Sequence, residues 1–205
     1  MNKDEKILFL GPKDSELFEW LKNKNENVIG TFEKISPEFI DENNISLIIS
    51  YGYRNIIKKD ILEKLPDRVI NLHISYLPWN RGADPNFWSF IENTPKGVTI
   101  HLIDEGIDTG DIIVQKEVNF EQQNETLKTT YQKLQKEIEE LFKNNWESIK
   151  KGNFKRKKQK GKGSFHLGKD KEKLMYLLTK GWDTPVKVLE EYFKENNYKG
   201  LNSGF

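Results

Sequence analysis

Short apolar runs alternate with amphipathic segments through the first part of the chain. Each run is short enough for one buried strand, and the segments between them place apolar residues three or four positions apart, as on one helix face. This alternation of strand and helix predicts an α/β fold with a doubly wound, mostly parallel sheet. The predicted strands are residues 6–10, one beginning at 28, 45–50 and 69–74, and the predicted helices are 15–24, one opening at 36, and 58–65.

The second part of the chain predicts two more strands and a long helix. Residues 98–103 and 112–118 have strand composition, and residues 126–150 carry apolar side chains at mixed three- and four-residue spacings, as in an amphipathic helix. Two short helices are predicted at 171–178 and 186–195. We therefore expect one main domain over residues 1–150 and a small C-terminal extension of helix and loop over residues 151–205.

Polar side chains interrupt the end of an apolar strand. Because successive strand side chains point to opposite faces, Asn71 and His73 share one face. A buried amide or imidazole costs free energy unless it is hydrogen-bonded or used. Asp108 lies in a Gly-rich acidic loop after the strand at 98–103, and sites in doubly wound sheets lie outside the carboxyl ends of strands. The pattern predicts a site that unites an amide, a base and a carboxylate.

Composition excludes several kinds of function. The 205 residues carry 33 basic and 32 acidic side chains, so the net charge of +1 gives no general argument for nucleic acid or membrane partners. The chain has no cysteine, which excludes disulfides and thiolate metal sites, and its three histidines have no common metal-ligand spacing. No apolar run reaches membrane-spanning length and the N-terminus lacks a signal-peptide core, so we expect a cytoplasmic protein.

The loop after the first strand argues against a dinucleotide cofactor. Gly11-Pro12-Lys13-Asp14-Ser15 has one glycine, a proline and an acidic residue. A phosphate cradle at this position needs several glycines and exposed backbone N–H groups.

An ordered set of motifs resembles the catalytic core of the 10-formyltetrahydrofolate-dependent formyltransferases. That family is Rossmann-like and includes enzymes acting on methionyl-tRNA, glycinamide ribonucleotide and sugar nucleotides. The resemblance implies N10-formyltetrahydrofolate as co-substrate and no metal. Outside the motifs, the resemblance is weaker from Ile7 to Val118 and is lost after Val118. The motifs are Asn71-x-His73-x-Ser75-x-Leu77-Pro78, Arg81-Gly82, Gly97-Val98-Thr99 and Asp108-Thr109-Gly110-Asp111.

Formyl transfer needs a donor for an oxyanion and a group that moves a proton. The Asn71 amide suits the first task because it donates without ionising. His73 suits either task, since the pKa of histidine lies near neutrality. Asp108 is expected to orient His73, to raise its pKa and to relay the proton through water. His101, in an apolar strand, is expected to support these residues without reacting.

The resemblance also implies binding residues. The pterin of the folate is expected against a wall that acts largely through backbone groups, so side-chain identity there carries little information. The turn after the strand at 69–74 is expected to be structural in part and to face the acceptor in part, through a guanidinium for phosphate and an aromatic ring. The wall comprises Tyr53, Ile56, Ile57, Asp104, Gly106 and Ile107, and the turn residues are Trp79, Arg81 and Asp84.

Three acceptors remain in view. Methionyl-tRNA formyltransferases carry a β-rich C-terminal domain, whereas the residues after Lys150 are expected to form helix and loop; with no broad basic excess either, tRNA is disfavoured. The Gly11 loop departs from the phosphate loop of glycinamide ribonucleotide formyltransferases. We therefore expect the acceptor to be a nucleotide-linked amino sugar, used in the synthesis of surface polysaccharide such as lipopolysaccharide. The alternative functions are a minimal methionyl-tRNA formyltransferase and a folate-binding protein without catalytic activity. The sequence does not decide whether the protein forms a homodimer.

A basic run, KRKKQKGK at residues 155–162, has three interpretations. A solvated linker is favoured by sequence alone. A nucleic-acid tail would need more length and interleaved aromatic residues. An electrostatic rim for a diphosphate gains weight from the resemblance. The motif Phe165-His166-Leu167-Gly168-Lys169-Asp170 resembles one that follows the core in family members, without a defined role.

Overall fold

The computed structural model describes residues 5–121 and 125–196. The described strands form a six-stranded sheet and a two-stranded sheet that pairs Arg81–Gly82 with Phe165–His166. In chain order the strands are β1 (Lys6–Leu10), β2 (Val28–Thr31), β3 (Ile45–Ser50), β4 (Val69–His73), β5 (Arg81–Gly82), β6 (Gly97–Leu102), β7 (Ile112–Glu117) and β8 (Phe165–His166).

The six-stranded sheet is mixed, in the order β2-β1-β3-β4-β6-β7. The pairs β2-β1, β1-β3 and β3-β4 are parallel. The Ile103 N–H donates to the Val69 carbonyl (2.8 Å), which joins the end of β6 to the start of β4 and makes that pair antiparallel. Helices flank the sheet, and the predicted α/β fold with mostly parallel strands is confirmed.

The helices begin where the sequence provides caps. The Ser15 and Ser36 hydroxyls accept from backbone N–H groups in the first turns of the first two helices, and Pro37 stands at the first helical position of the second. The helices are α1 (Glu16–Asn23), α2 (Pro37–Glu42), α3 (Lys59–Lys64), α4 (Pro85–Ile91), α5 (Leu127–Lys151) and α6 (Val186–Asn196).

The sequence analysis missed one helix and gave the wrong type for another. It predicted no helix after the turn of Trp79, Arg81 and Asp84, because the residues of α4 from Asn86 to Ile91 are all buried and no polar face marks them as a helix. The helix predicted at 171–178 is instead part of a 3₁₀ helix, Gly168–Leu177. A second short 3₁₀ helix, Gly181–Asp183, precedes α6.

The chain divides into two compact units. Among the described residues the first unit contains 5–73, 100–114 and 142–158, and the second contains 74–99, 115–121, 125–141 and 159–196. Strands β6 and β7 and helix α5 contribute residues to both. The predicted boundary at residue 150 is a division of the sequence and stays a prediction.

Each unit has its own apolar core. In the first unit the aliphatic side chains of β1, β3 and β4 pack against α2 and α3, around Leu8, Ile48 and Ile61. In the second unit α4 packs against α6, the start of α5 and the 3₁₀ helix, around Trp88, Leu127 and Leu189. No described helix is both long and apolar enough to cross a membrane. Residues 5–121 and 125–196 contain no group of three or more side chains arranged to hold a metal ion.

Candidate active site

Strand β4 places Asn71 and His73 at the carboxyl end of the parallel part of the sheet. Asn71 lies opposite Ser50, the last residue of β3, where the pairing of β3 with β4 ends. The neighbouring Ile70 and Leu72 are buried with 0% and 4% of their surface exposed, so the alternation holds the two polar side chains on one face. His73 is itself buried, which restricts its contacts to groups of the site.

The loop that carries Asp108 is fixed by its own side chains. The Asp104 carboxylate accepts from the Gly106 N–H (3.0 Å) and from the Thr109 hydroxyl (2.5 Å). Gly110 passes so close to the Leu102 carbonyl that a Cβ there would lie 1.8 Å from its oxygen. Asp108 has a left-handed backbone with φ +53°, a conformation that Asp tolerates better than most residues.

The first unit brings the predicted catalytic residues together. The Asn71 Nδ2 donates to Asp108 Oδ1 at 3.0 Å. His73 Nδ1 lies 3.7 Å from Asp108 Oδ2, the other oxygen of the same carboxylate. The side chains of His73 and Asp108 are 8% and 12% exposed, so this carboxylate acts on the imidazole with little screening by water.

His101 contacts this cluster directly. Its Nε2 lies 3.3 Å from Asn71 Nδ2 and 3.4 Å from Asp108 Oδ1. Its Nδ1 lies 2.7 Å from the Leu102 carbonyl oxygen, which can only accept, so Nδ1 carries a proton. In the neutral ring Nε2 then accepts from the Asn71 amide. His101, which the sequence analysis expected to support the catalytic residues, therefore contacts both Asn71 and Asp108.

This geometry suits acyl transfer to an amine. The Asn71 amide directs its two hydrogens toward Asp108 and His101, so a developing oxyanion that accepts an N–H from Asn71 must replace one of these two acceptors. Asp108 contacts an imidazole on each of its oxygens, and it stabilises a proton that arrives on His73. The assignment of these roles stays a proposal.

The residues predicted to bind folate lie on two loops of the first unit. Lys59 Nζ and Glu105 Oε1 form an ion pair at 3.0 Å that links the first residue of α3 to the loop of Asp108. Ile56 and Ile107 are exposed at 79% and 45%, as an apolar wall for a ligand ring would be. Ile57 is buried in the core, so it has only its backbone to offer, and the Asp104 carboxylate is occupied within its own loop.

Tyr53 belongs to the same wall and is tied to the protein. Its hydroxyl donates to the Glu33 carbonyl at 2.8 Å. Burial raises the pKa of Tyr53, so the phenol stays protonated and keeps this hydrogen bond at neutral pH.

The residues predicted to bind the acceptor lie in the second unit. Arg81 is half-buried and its Nε donates to Gln159 Oε1 at 3.0 Å. Asp84 pairs with Lys171 at 2.7 Å. Trp79 is half-buried, and its carbonyl accepts from the Ser75 hydroxyl. The structure thus holds Arg81 and Asp84 by partners that the sequence analysis did not identify.

A cavity of about 470 Å³ in the second unit is the clearest feature that the sequence analysis missed. Its wall includes Asp84 and also Ile74, the residue that follows His73 in the chain. Tyr131 and Trp182 line it and are each 48% exposed. Exposed aromatic residues were the available signal, but they lie on elements that are far apart in sequence.

Comparison with known proteins identifies the family of the chain. Residues 16–144 match the family model described as formyl transferase. Methionyl-tRNA formyltransferase of Thermodesulfovibrio yellowstonii is 35% identical over 156 residues, which make up 75% of this chain and 48% of that protein. The chain thus spans about half the length of this curated relative.

Solved structures match more of the chain. The formyltransferase PseJ from Anoxybacillus kamchatkensis, in complex with UDP-4,6-dideoxy-4-formamido-L-AltNAc and tetrahydrofolate, is 52% identical with a TM-score of 0.86, over 91% of this chain and 99% of that one. WlaRD, a sugar 3N-formyl transferase in the presence of dTDP and 5-N-formyl-THF, is 26% identical with a TM-score of 0.65, over 82% and 70%.

Proposed function

The chain belongs to the formyltransferase family, and from that premise we propose that it transfers the formyl group of N10-formyltetrahydrofolate to the amine of a nucleotide-linked amino sugar. The observation that carries the reaction is the contact of Asn71, His73 and Asp108 in the first unit. The acceptor rests on similarity to PseJ, whose chain is matched over 99% of its length, against 48% for the tRNA enzyme.

The proposed reaction uses each residue once. The amine nitrogen attacks the formyl carbon, and the carbonyl oxygen becomes an oxyanion that accepts an N–H from Asn71. His73 takes the proton that leaves the amine, while Asp108 stabilises the imidazolium. The bond from the carbon to N10 then breaks and N10 gains a proton, which gives tetrahydrofolate and a formamido sugar.

We place the folate against the two loops of the first unit. The exposed Ile56 and Ile107 supply apolar surface for its ring, and the backbone from Tyr53 to Ile57 and from Asp104 to Ile107 supplies donors and acceptors. The folate is the only co-substrate that the proposal requires.

We place the acceptor on residues of the second unit. Arg81 supplies a guanidinium for the diphosphate. Lys160 and Lys162 are exposed in the same unit, and within the described part of the chain neither has an ion pair, so both can add positive charge. The cavity lined by Tyr131 and Trp182 suits an uncharged ring, because its acidic wall residues Asp84 and Asp183 already face lysines.

A panel of UDP- and dTDP-linked 3-amino and 4-amino sugars tests the proposal. Each is incubated with N10-formyltetrahydrofolate, and the product is measured by mass spectrometry. We expect at least one to gain a single formyl group, with no gain when His73→Ala replaces the wild type. Absence of formylated sugar throughout the panel, with formylation of initiator methionyl-tRNA, would contradict the assigned acceptor.

The setting of the reaction is also a proposal. We expect the enzyme to work in the cytoplasm on metabolites destined for surface polysaccharide, without nucleic acid or membrane partners. The oligomeric state stays open between a monomer and a homodimer, and light scattering of the purified protein measures it directly.

A further inference from the structure

Residues 78–84, here called the acceptor turn, have an unusual backbone. Asn80, Gly82 and Asp84 all adopt positive φ angles, of +54°, +84° and +52°. Such conformations cost free energy at residues other than glycine and persist where the surroundings impose them. The acceptor turn carries Arg81, so whatever imposes its conformation also sets the point and direction from which the Arg81 side chain leaves the backbone.

Residues 163–166, the returning segment, supply the backbone partners of the acceptor turn. The Arg81 N–H donates to the Ser164 carbonyl (3.0 Å), and the Ala83 N–H donates to the His166 carbonyl (2.9 Å). The Asn80 N–H donates to the Ser164 hydroxyl (3.0 Å). Strands β5 and β8 are the paired parts of these two segments. The contact is close, since a Cβ on Gly82 would lie 2.3 Å from the His166 oxygen.

A buried polar cluster lies beneath this pairing. Glu92, just after α4, has a side chain that is 4% exposed, and its Oε1 lies 3.1 Å from Nε2 of His166, which is 2% exposed. The other oxygen, Oε2, accepts from the Asn80 amide at 3.2 Å. The Thr94 hydroxyl donates to the Asn80 Oδ1 at 2.8 Å. One carboxylate therefore connects the returning segment to the acceptor turn.

The His166 ring is also held by packing. It stacks on the indole of Trp88, with ring centroids 3.8 Å apart and planes 6° from parallel, and Trp88 is fully buried. His166 Nε2 approaches Glu92 Oε1 off the line of a good hydrogen bond. This contact and the Asn80 amide are the polar neighbours of the Glu92 carboxylate, which would be costly to bury without compensation.

We propose that Glu92 and His166 are positioning residues for acceptor binding: their buried contact holds the returning segment against the acceptor turn and so sets Arg81. The proposal rests on the proposed function for the identity of the acceptor. It assigns a role to His166 that does not involve contact with substrate. It also makes the C-terminal part of the chain necessary for affinity toward the acceptor and unnecessary for affinity toward the folate.

The kinetic test uses His166→Phe and Glu92→Gln. Phe keeps a ring against Trp88 and removes the contact with Glu92. Gln keeps the shape and replaces one accepting oxygen by a donor. We expect the acceptor KM to rise by about tenfold, as for loss of a contact that orients a charged group, while kcat and the folate KM stay within about twofold. Glu190→Gln, at a buried acid of α6 that does not contact the turn, is the matched control.

Amide hydrogen exchange tests the same contact without an assay of activity. Exchange at Asn80, Arg81 and Ala83 should accelerate in His166→Phe relative to Glu190→Gln, because these N–H groups bond to the returning segment. Thr94→Val removes a single hydrogen bond of the cluster and is the milder variant if the others fold poorly. Thr94→Val should accelerate exchange in the acceptor turn and raise the acceptor KM, both by less than His166→Phe does.

Unchanged exchange in the acceptor turn, or a rise in folate KM equal to that in acceptor KM, would overturn the proposal. A wild-type protein that formylates no sugar nucleotide would instead refute the proposed acceptor. The exchange measurement separates these two failures, since it reports on the turn whatever the substrate is.

Discussion

At the scale of single residues, Asp108 presents its two carboxylate oxygens to different partners. Oδ2 faces His73, and Oδ1 faces both the Asn71 amide and His101. Removing Asp108 would therefore disturb three side chains at once. The separate roles of Asn71 and His73 are better tested by truncating those two.

Asn71→Ala and His73→Ala should each lower kcat by at least about a hundredfold, the usual scale for loss of one oxyanion donor or one acid–base group. Thermal unfolding should change little, because both residues stand at the end of β4 and their backbone hydrogen bonds remain. Steady-state kinetics and calorimetry measure the two quantities. A well-folded variant with nearly wild-type kcat would show that the residue has no catalytic role.

At the scale of elements, Asp108 and Arg81 lie in a loop and in a turn, outside the regular strands of the six-stranded sheet. The loop of Asp108 is braced by Asp104, and the acceptor turn is held by the returning segment. Neither bracing contact is visible in the apolar pattern of the sequence. Each of these two segments leads to a prediction, one about Asp104 in the loop of Asp108 and one about Arg81 in the acceptor turn.

Asp104→Ala should lower kcat by about tenfold, because it removes two hydrogen bonds that fix the loop of Asp108. Asp104→Asn keeps an accepting oxygen and should stay within about twofold of the wild type. Comparing kcat of the two variants separates bracing from charge. Equal losses in both would indicate that the negative charge of Asp104 matters in itself.

Arg81→Ala should raise the acceptor KM by about ten- to a hundredfold while leaving the folate KM unchanged, since a charge-assisted contact to phosphate is lost. Neutralising Lys160 and Lys162 should do less, because exposed charges are screened by salt. Initial rates at varied concentrations of each substrate give both KM values. If Arg81→Ala weakens folate binding instead, its assignment to the acceptor is wrong.

At the scale of the whole molecule, the sequence predicts what has a regular period and misses what depends on distant contacts. The strand carrying Asn71 and His73 was predictable because polar residues alternate with buried ones at its end. Helix α4 was not, because Phe87, Trp88 and their neighbours are buried on every side. The contact of Glu92 with His166 joins residues far apart in sequence, and no local pattern encodes it.

How much of each similar protein the chain matches helps to distinguish a sugar nucleotide from tRNA as the acceptor. The match to the tRNA enzyme covers 48% of that protein, whereas the match to PseJ covers 99% of its chain. The acceptor turn takes its backbone partners from residues 163–166, so the turn to which we assign acceptor binding is hydrogen-bonded to the C-terminal part of the chain. A competition between acceptors therefore tests the central claim most directly.

The measurement offers the wild-type protein N10-formyltetrahydrofolate with a labelled formyl group, together with equal concentrations of a UDP-linked 4-amino sugar and initiator methionyl-tRNA. The acceptors are separated and their label is counted, with His73→Ala as the blank. We predict that the label enters the sugar nucleotide and that the tRNA stays at the level of the blank. Label in the tRNA with none in the sugar nucleotide would contradict the account.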